Sequence, residues 1–283
     1  MKIRFLFLTL FFFTSFVTMA YFSLNVNDPR NGGFWSQGTI NTAKITLTNQ
    51  GTFTQVELEM ELGVQTAGTK TGYDSLEIVC DFDLPYGAFI KSAALYIEHQ
   101  WINAELMTRK EAHAIYEGLV KRRIDPLIIY KNSEIQYKFK IFPIAAAGTR
   151  TMRMTYVAPT ENIKGNKSSA IPMELFNVSA TPVNISLYIK ENDDFKDLQI
   201  ESATGTIALS PSKEKEGYLE AQFSSDNKVK NIVSSNQIKP IQFEAAKHQG
   251  AYSYKLSFTP KDLFERLYLI TMLLKIFCKL HKI

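Results

Sequence analysis

From residue 44 onward the chain keeps a two-residue rhythm of apolar and polar positions. KITLTN (44–49) sets Ile45 and Leu47 against polar neighbours, and VELEMEL (56–62) sets Val56, Leu58, Met60 and Leu62 against Glu57, Glu59 and Glu61. A period of two with one charged face predicts a half-buried antiparallel strand. SLEIVCDF (75–82) and AFIKSAALYIEH (88–99) are further strand candidates, separated by DLPYG. The alternation returns in EIQYKFKIF (134–142) and RTMRMTY (150–156), with the connection PIAAAGT (143–149) between them. A second β-rich region carries VNISLYIK (183–190), GYLEAQF (217–223) and YSYKLSF (252–258). Residues 21–40, rich in turn formers, read as a lead-in loop, GTKTGYD (68–74) as a turn, PTENIKGNKSSA (159–170) as a polar linker and SPSKEKEG (210–217) as a loop.

One stretch breaks the rhythm. In ELMTRKEAHAIYEGLVKRRIDP (105–126), Thr108 and Glu111 form a capping-box pair. Ala112, Ile115, Tyr116 and Leu119 then fall at helical spacing as one apolar stripe. Lys121, Arg122 and Arg123 stand in the last turn, where cations complement the negative helix end. Pro126 disfavours helical geometry at Asp125, so the helix is expected to end by about residue 124. The stripe predicts Ile115, Tyr116 and Leu119 in the core and Lys110, His113, Glu117 and Lys121 on the exposed arc.

Both ends differ from the body. MKIRFLFLTLFFFTSFVTMA (1–20) has a basic start, an apolar run from Phe5 to Val17 and a Thr-Met-Ala cleavage site, the parts of a secretory signal, with an uncleaved anchor as the rival. The tail (261–283) is apolar but broken by Arg266, Lys275 and Lys279, and Leu267–Leu274 is too short to span a bilayer. Three readings stay open for it: an interfacial amphipathic helix, a segment packed on the core, or a truncated or altered end.

The formal net charge of +4 changes meaning once it is divided. Residues 1–20 carry +2 and residues 261–283 carry +3, which leaves −1 on the body, so no nucleic-acid surface is expected there. Cys80 and Cys278 are too few for a disulfide framework and have no metal spacing. His113 and Glu117 share a helix face but do not make the two-histidine zinc arrangement, and Asp81 and Asp83 read as turn-edge residues. No nucleophile elbow, Walker loop or dinucleotide fingerprint occurs, so neither catalytic residues nor a cofactor or metal is expected. Asn166, Asn177 and Asn184 each begin an N-x-S glycosylation sequon.

DLPYGAFIKSAALYI (83–97), AELMTRKEAHAIYEGLVKRRIDPLIIY (104–130) and IFPIAAAGTRTMRMTYVAP (141–159) together resemble the VIT domain family, named for vault proteins and inter-α-trypsin inhibitor heavy chains. The positions that carry the resemblance are Leu84, Pro85, Gly87 and Ala88; Glu105, Arg109, Glu111, Ala112, Tyr116 and Glu117; Asp125, Pro126 and Leu127; Phe142, Pro143 and Gly148; and Met152, Met154 and Tyr156. Tyr86 stands where the family has an acid, and AAA replaces a proline pair before Gly148. The resemblance covers about residues 40–160. It implies a mainly β, antiparallel sandwich-like domain with one packed α-helix, a role in protein–protein interaction or scaffolding, and no catalysis by the domain itself. The family usually adjoins a von Willebrand A domain, whose D-x-S-x-S metal loop does not occur in this chain.

The expected organisation is a signal or anchor (1–20), a VIT-like domain (21–160), a second β-rich region (161–260) and an apolar, basic C-terminal helix (261–283). The expected function is that of an exported, non-enzymatic interaction module with a protein partner, in the periplasm, at the cell surface or secreted. Membrane contact through either end is open. The alternatives are a cell-envelope enzyme acting on glycans, which would need two carboxylates across a cleft, and a fragment of a VIT–von Willebrand A protein.

Overall fold

The computed structural model describes residues 23–30, 33–65, 74–105, 109–122, 124–163, 166–192, 195–237, 241–248 and 251–258. In chain order the elements are β1 (Ser23–Asp28), β2 (Gly33–Gln50), β3 (Phe53–Val64), β4 (Leu76–Asp83), β5 (Phe89–Ile97), β6 (Gln100–Asn103), α1 (Arg109–Lys121), β7 (Leu127–Lys131), β8 (Gln136–Ile144) and β9 (Arg150–Pro159). Then come β10 (Glu161–Ile163), β11 (Asn166–Ala170), α2 (Met173–Asn177), β12 (Asn184–Lys190), β13 (Leu198–Ser202), β14 (Gly205–Ile207), β15 (Ser210–Pro211), β16 (Leu219–Ser224), β17 (Val229–Gln237), β18 (Ile241–His248) and β19 (Ala251–Phe258). The molecule is mainly β, with few helices.

Most strands belong to one curled, largely antiparallel sheet whose main path runs β6-β5-β9-β3-β2-β1-β4-β8-β7. The long β2 makes the curl. Its first residues pair with β1, while Thr42–Thr48 pair in parallel with β12, which carries β16 and β15 beyond it. On the β3 side the register slips between Ile40 and Thr42, a bulge that bends the strand. Gly63 sits opposite that bulge. A Cβ there would stand 2.7 Å from the Thr39 hydroxyl, so a larger residue would have to push the Thr39 and Asn41 side chains aside.

The alternation read in the sequence is the burial pattern of the strands. Val56, Leu58, Met60 and Leu62 are buried, and the glutamates between them are half-exposed. On the outer face Glu59 meets Arg153 of β9 at 3.1 Å, and Arg153 stacks on Trp101 at 4.1 Å.

Two connections become strands, and Ser210–Pro211 at the start of the expected 210–217 loop form the short β15, paired with β16. Residues 21–40 do not form a loop: Ser23–Asp28 pairs with both β2 and β4. Its Leu24 and Val26 are fully buried, and this two-residue alternation is too short to stand out among turn formers. Residues 159–170 are not a linker either, because β10 and β11 form a hairpin that joins a second sheet, β10-β11-β17-β13-β14. Polar strand residues fit there because Thr54 shares hydrogen bonds with Ser169 (2.7 Å) and Thr160 (3.1 Å). Asn49 donates to both Thr54 and Thr160, and Asn192 donates to the Asn49 carbonyl. This buried polar seam ties the second β-rich region to the first. One hydrophobic core runs through both, with Ile185, Leu187, Ile200 and Ile232 beside Ile45, Leu58 and Phe82. The GTKTGYD turn lies outside the described residues except for Asp74, as do the signal-like segment and the tail with its expected helix. Among the described residues no helix is long and apolar enough to cross a membrane.

The β5–β6 hairpin turns at Glu98 and His99, both at positive φ (46° and 66°). A two-residue turn of this hand prefers Asn-Gly, and here two ordinary side chains occupy it. His99→Gly is therefore expected to raise stability by about 0.5–1 kcal/mol. An unchanged urea midpoint would mean the turn carries no strain.

Candidate functional site

Helix α1 lies on the outer face of β7 and β8. Its 13 residues run from Arg109 to Lys121, ending three residues short of the expected limit. The Leu119 carbonyl accepts from the N–H groups of both Arg122 and Ile124. Arg122 also donates to the Gly118 carbonyl at 3.3 Å, satisfying a free helix-end acceptor as the basic cluster predicted. The capping threonine lies outside the described residues.

Tyr116 anchors the helix. Its ring is buried with Ile128 and Phe142, against Ala112, Val120 and Tyr130. Its hydroxyl donates to Glu77 Oε1 at 2.8 Å, while Lys140 donates to the other oxygen of Glu77 at 3.4 Å. Burial first, and then the neighbouring Glu77 carboxylate, push the Tyr116 phenol far above its usual range. It stays a neutral donor at any working pH. Glu77 is one of two acids, with Asp81, that interrupt the apolar run SLEIVCDF, and the spacing alone does not tell which of them has a buried partner.

The apolar stripe splits. Ala112 and Tyr116 sit on the sheet, but Ile115 is 50% exposed and Leu119 is half-buried. The expectation that Ile115 and Leu119 are core is therefore wrong: holding the Tyr116 hydroxyl on Glu77 turns them off the sheet. His113 is also misplaced on the exposed arc. Its ring packs on Tyr130 at 4.8 Å, with Nε2 buried and unbonded, and the Arg109 guanidinium covers Tyr130 at 4.6 Å. Lys110, Glu117 and Lys121 are exposed as expected.

The structure brings several motif residues together beside the helix. Arg150 Nη1 meets Asp125 Oδ2 at 3.0 Å, and Arg150 Nε donates to the Pro143 carbonyl at 2.6 Å. The Phe142 N–H donates to the Pro126 carbonyl at 3.2 Å, and the Phe142–Pro143 peptide is cis. Gly148 closes its turn by donating to the Ala145 carbonyl. These contacts clamp the chain that leaves the helix onto the end of β8. Glu105 and Glu111 are exposed.

Other motif residues act elsewhere. Leu84 is buried, and the Ala88 N–H donates to the Pro85 carbonyl. Gly87 has φ +76°, and a Cβ there would stand 3.0 Å from Pro159, so the turn needs glycine. Tyr156 is fully buried in the core, and burial drives its phenol far up. Cys80 is a buried free thiol, also pushed up by burial.

Asp81 pairs across strands with Lys138 at 3.1 Å. Asp83 differs: its Oδ1 is buried without a hydrogen bond, and burial, followed by the nearby Glu174 carboxylate, raises its pKa. A carboxyl whose folded pKa is raised destabilises the fold once the pH rises through its unfolded value near 4. Asp83→Asn is therefore expected to raise the urea midpoint at pH 7, with the gain vanishing at about pH 3, where both states are protonated. An equal gain at both pH values would show that the charge is not the cause.

Between α1, β5, β6 and β7 lies a groove of about 370 Å³. Its apolar walls come from Ile115 and Leu119 on the helix, Ile90 and Leu95 on β5, Ile102 on β6, and Leu127 and Ile129 on β7. Ile102 (45%) and Ile115 (50%) are among the most exposed large apolar side chains. The carboxylates in its lining are Glu105 and Asp125, and Asp125 is already engaged by Arg150. Among the described residues no three His, Cys, Asp or Glu side chains gather as metal ligands.

Residues 40–156 match the model of the family described as the Vault protein inter-alpha-trypsin domain, VIT. No curated protein matches the chain. Among solved structures, an M1 zinc metallopeptidase from Deinococcus radiodurans is similar at 10% identity over 78% of this chain and 47% of its own, with a TM-score of 0.37. A candidate nutrient-binding protein from Legionella pneumophila is similar at 8% identity over 74% of this chain and 68% of its own, with a TM-score of 0.41. The chain spans about half the length of the metallopeptidases it matches.

Proposed function

We propose that this chain, which carries a VIT domain across residues 40–156, is an exported, non-enzymatic interaction module that holds a protein partner in the groove beside α1. The observation that carries the reading is the groove itself, where Ile102 and Ile115 stay exposed around an apolar hollow on a helix otherwise pinned to the sheet. A groove of this size lies at the lower end of those that take up ligands or a few side chains. Exposed apolar surface with a polar rim is the usual mark of an interaction site. The glycan-enzyme alternative needs one acid and one free carboxylate across a cleft, and Asp125, held by Arg150, is poorly placed to serve as either. Export rests on the signal-like residues 1–20.

A photo-crosslinker placed at position 115 of the full chain, in its native cells, tests the reading. The expected result is one discrete protein adduct in the exported fraction, lost when Ile102→Glu charges the groove and kept when the crosslinker chain carries Lys110→Ala. No adduct, or one indifferent to Ile102→Glu, overturns it.

A further inference from the structure

Strand β7 ends the main path of the sheet, and its outer edge borders the groove. Its hydrogen-bonding phase follows from two bonds that flank it. The Phe142 N–H donates to the Pro126 carbonyl, and the Asn132 N–H donates to the Gln136 carbonyl at 2.8 Å. Along an antiparallel pair, residues alternate between those bonded across the ladder and those whose groups point away. The β7–β8 register pairs Ile128 with Lys140 and Tyr130 with Lys138, in phase with those two bonds. Ile128 and Tyr130 therefore bond to β8, while Leu127, Ile129 and Lys131 turn their N–H and C=O groups outward. Among the described residues no strand pairs with that edge.

An open strand edge is a template for another strand. Here it runs beside the apolar walls formed by Ile115, Leu119 and Ile102. A bound helix satisfies its own backbone and would leave the edge unused. An extended segment fills both needs: its main chain pairs with Leu127, Ile129 and Lys131, and every second side chain enters the groove.

We propose that the groove takes an extended segment of the partner protein, which adds a strand to β7 and places alternate apolar side chains between α1 and β5. This rests on the reading of the groove as the docking site. The segment is short, because β7 has only five residues.

The test pans a random peptide phage library on the full chain and then assays the enriched peptides as synthetic ligands. The expected selections carry apolar residues at alternate positions. Methylation of peptide nitrogens on the β7-facing side should weaken binding at least tenfold. Ile129→Pro, which deletes an outward N–H, should weaken binding at least tenfold more than Ile129→Ala, which removes the same side-chain contacts but keeps the N–H. Far-UV circular dichroism checks that both variants are folded, and hydrogen exchange at the Leu127 and Ile129 amides should slow on binding. Selections with helical spacing, no enrichment, or equal loss in the two variants overturns the strand occupant. A crosslinked adduct at position 115 that persists beside any of these results would keep the interaction reading and remove only the strand. Loss of both removes both.

Discussion

A chain ending at Pro159 is expected to lose its cooperative unfolding transition, although the family match itself ends at residue 156. The reason is the shared core. Leu175, Phe176, Val183, Ile185, Leu187, Ile189 and Phe195 are essentially fully buried and belong to the same cluster as Ile45, Leu58 and Met152. Each large side chain so buried contributes about 1.5–3 kcal/mol, so the seven together are worth about 10–21 kcal/mol, as much as the about 5–15 kcal/mol by which a domain is stable. The cut also strips β12 from β2, opening seven paired positions from Thr42 to Thr48. It leaves Asn49 and Thr54 without Ser169 and Asn192. The expected outcome is loss of near-ultraviolet circular dichroism and a broad, low-midpoint urea curve. A sharp transition at the full chain's midpoint would show that the first region is an independent domain.

The second large effect belongs to Tyr116. Tyr116→Ala is expected to cost about 4 kcal/mol, through the cavity left among Ile128, Phe142 and Val120 together with the unpaired acceptor on Glu77. Tyr116→Phe keeps the ring and removes only the hydroxyl, so it should cost about 1–2 kcal/mol. The difference between the two variants separates packing from the Glu77 hydrogen bond. Equal losses would make that bond the whole effect, and a silent Tyr116→Phe would show that Lys140 alone satisfies the carboxylate.

Local pattern and local chemistry were legible. The strands at 56–62, 134–142 and 150–156 announce themselves because one face is buried and the other is wet, and a two-residue period records that directly. The helix is legible from its stripe and its proline stop, and the turn at Pro85–Ala88 from its glycine. The ordered motifs around them carry the resemblance to the VIT family, whose model matches residues 40–156. Strand β11 was not legible, because its buried residues Lys167, Ser168 and Ser169 are polar, and the Thr54 hydroxyl that Ser169 meets lies over a hundred residues away in sequence. A polar strand and a polar linker look alike until the partner is known.

The same limit governs the site. The helical stripe named Ile115, Tyr116 and Leu119 together, since sequence spacing places them on one side. Their separation into an anchor and a groove wall was decided by Glu77, a residue on β4 that holds the Tyr116 hydroxyl, and by the curl of the sheet, which leaves the edge of β7 facing β5. The sequence by itself determined which residues prefer strands, where the helix begins to be possible, and that one face of it is apolar. Tertiary structure alone decided which part of that face is covered and which stays open, because burial depends on what other segments bring to the same place, and no local period carries that information.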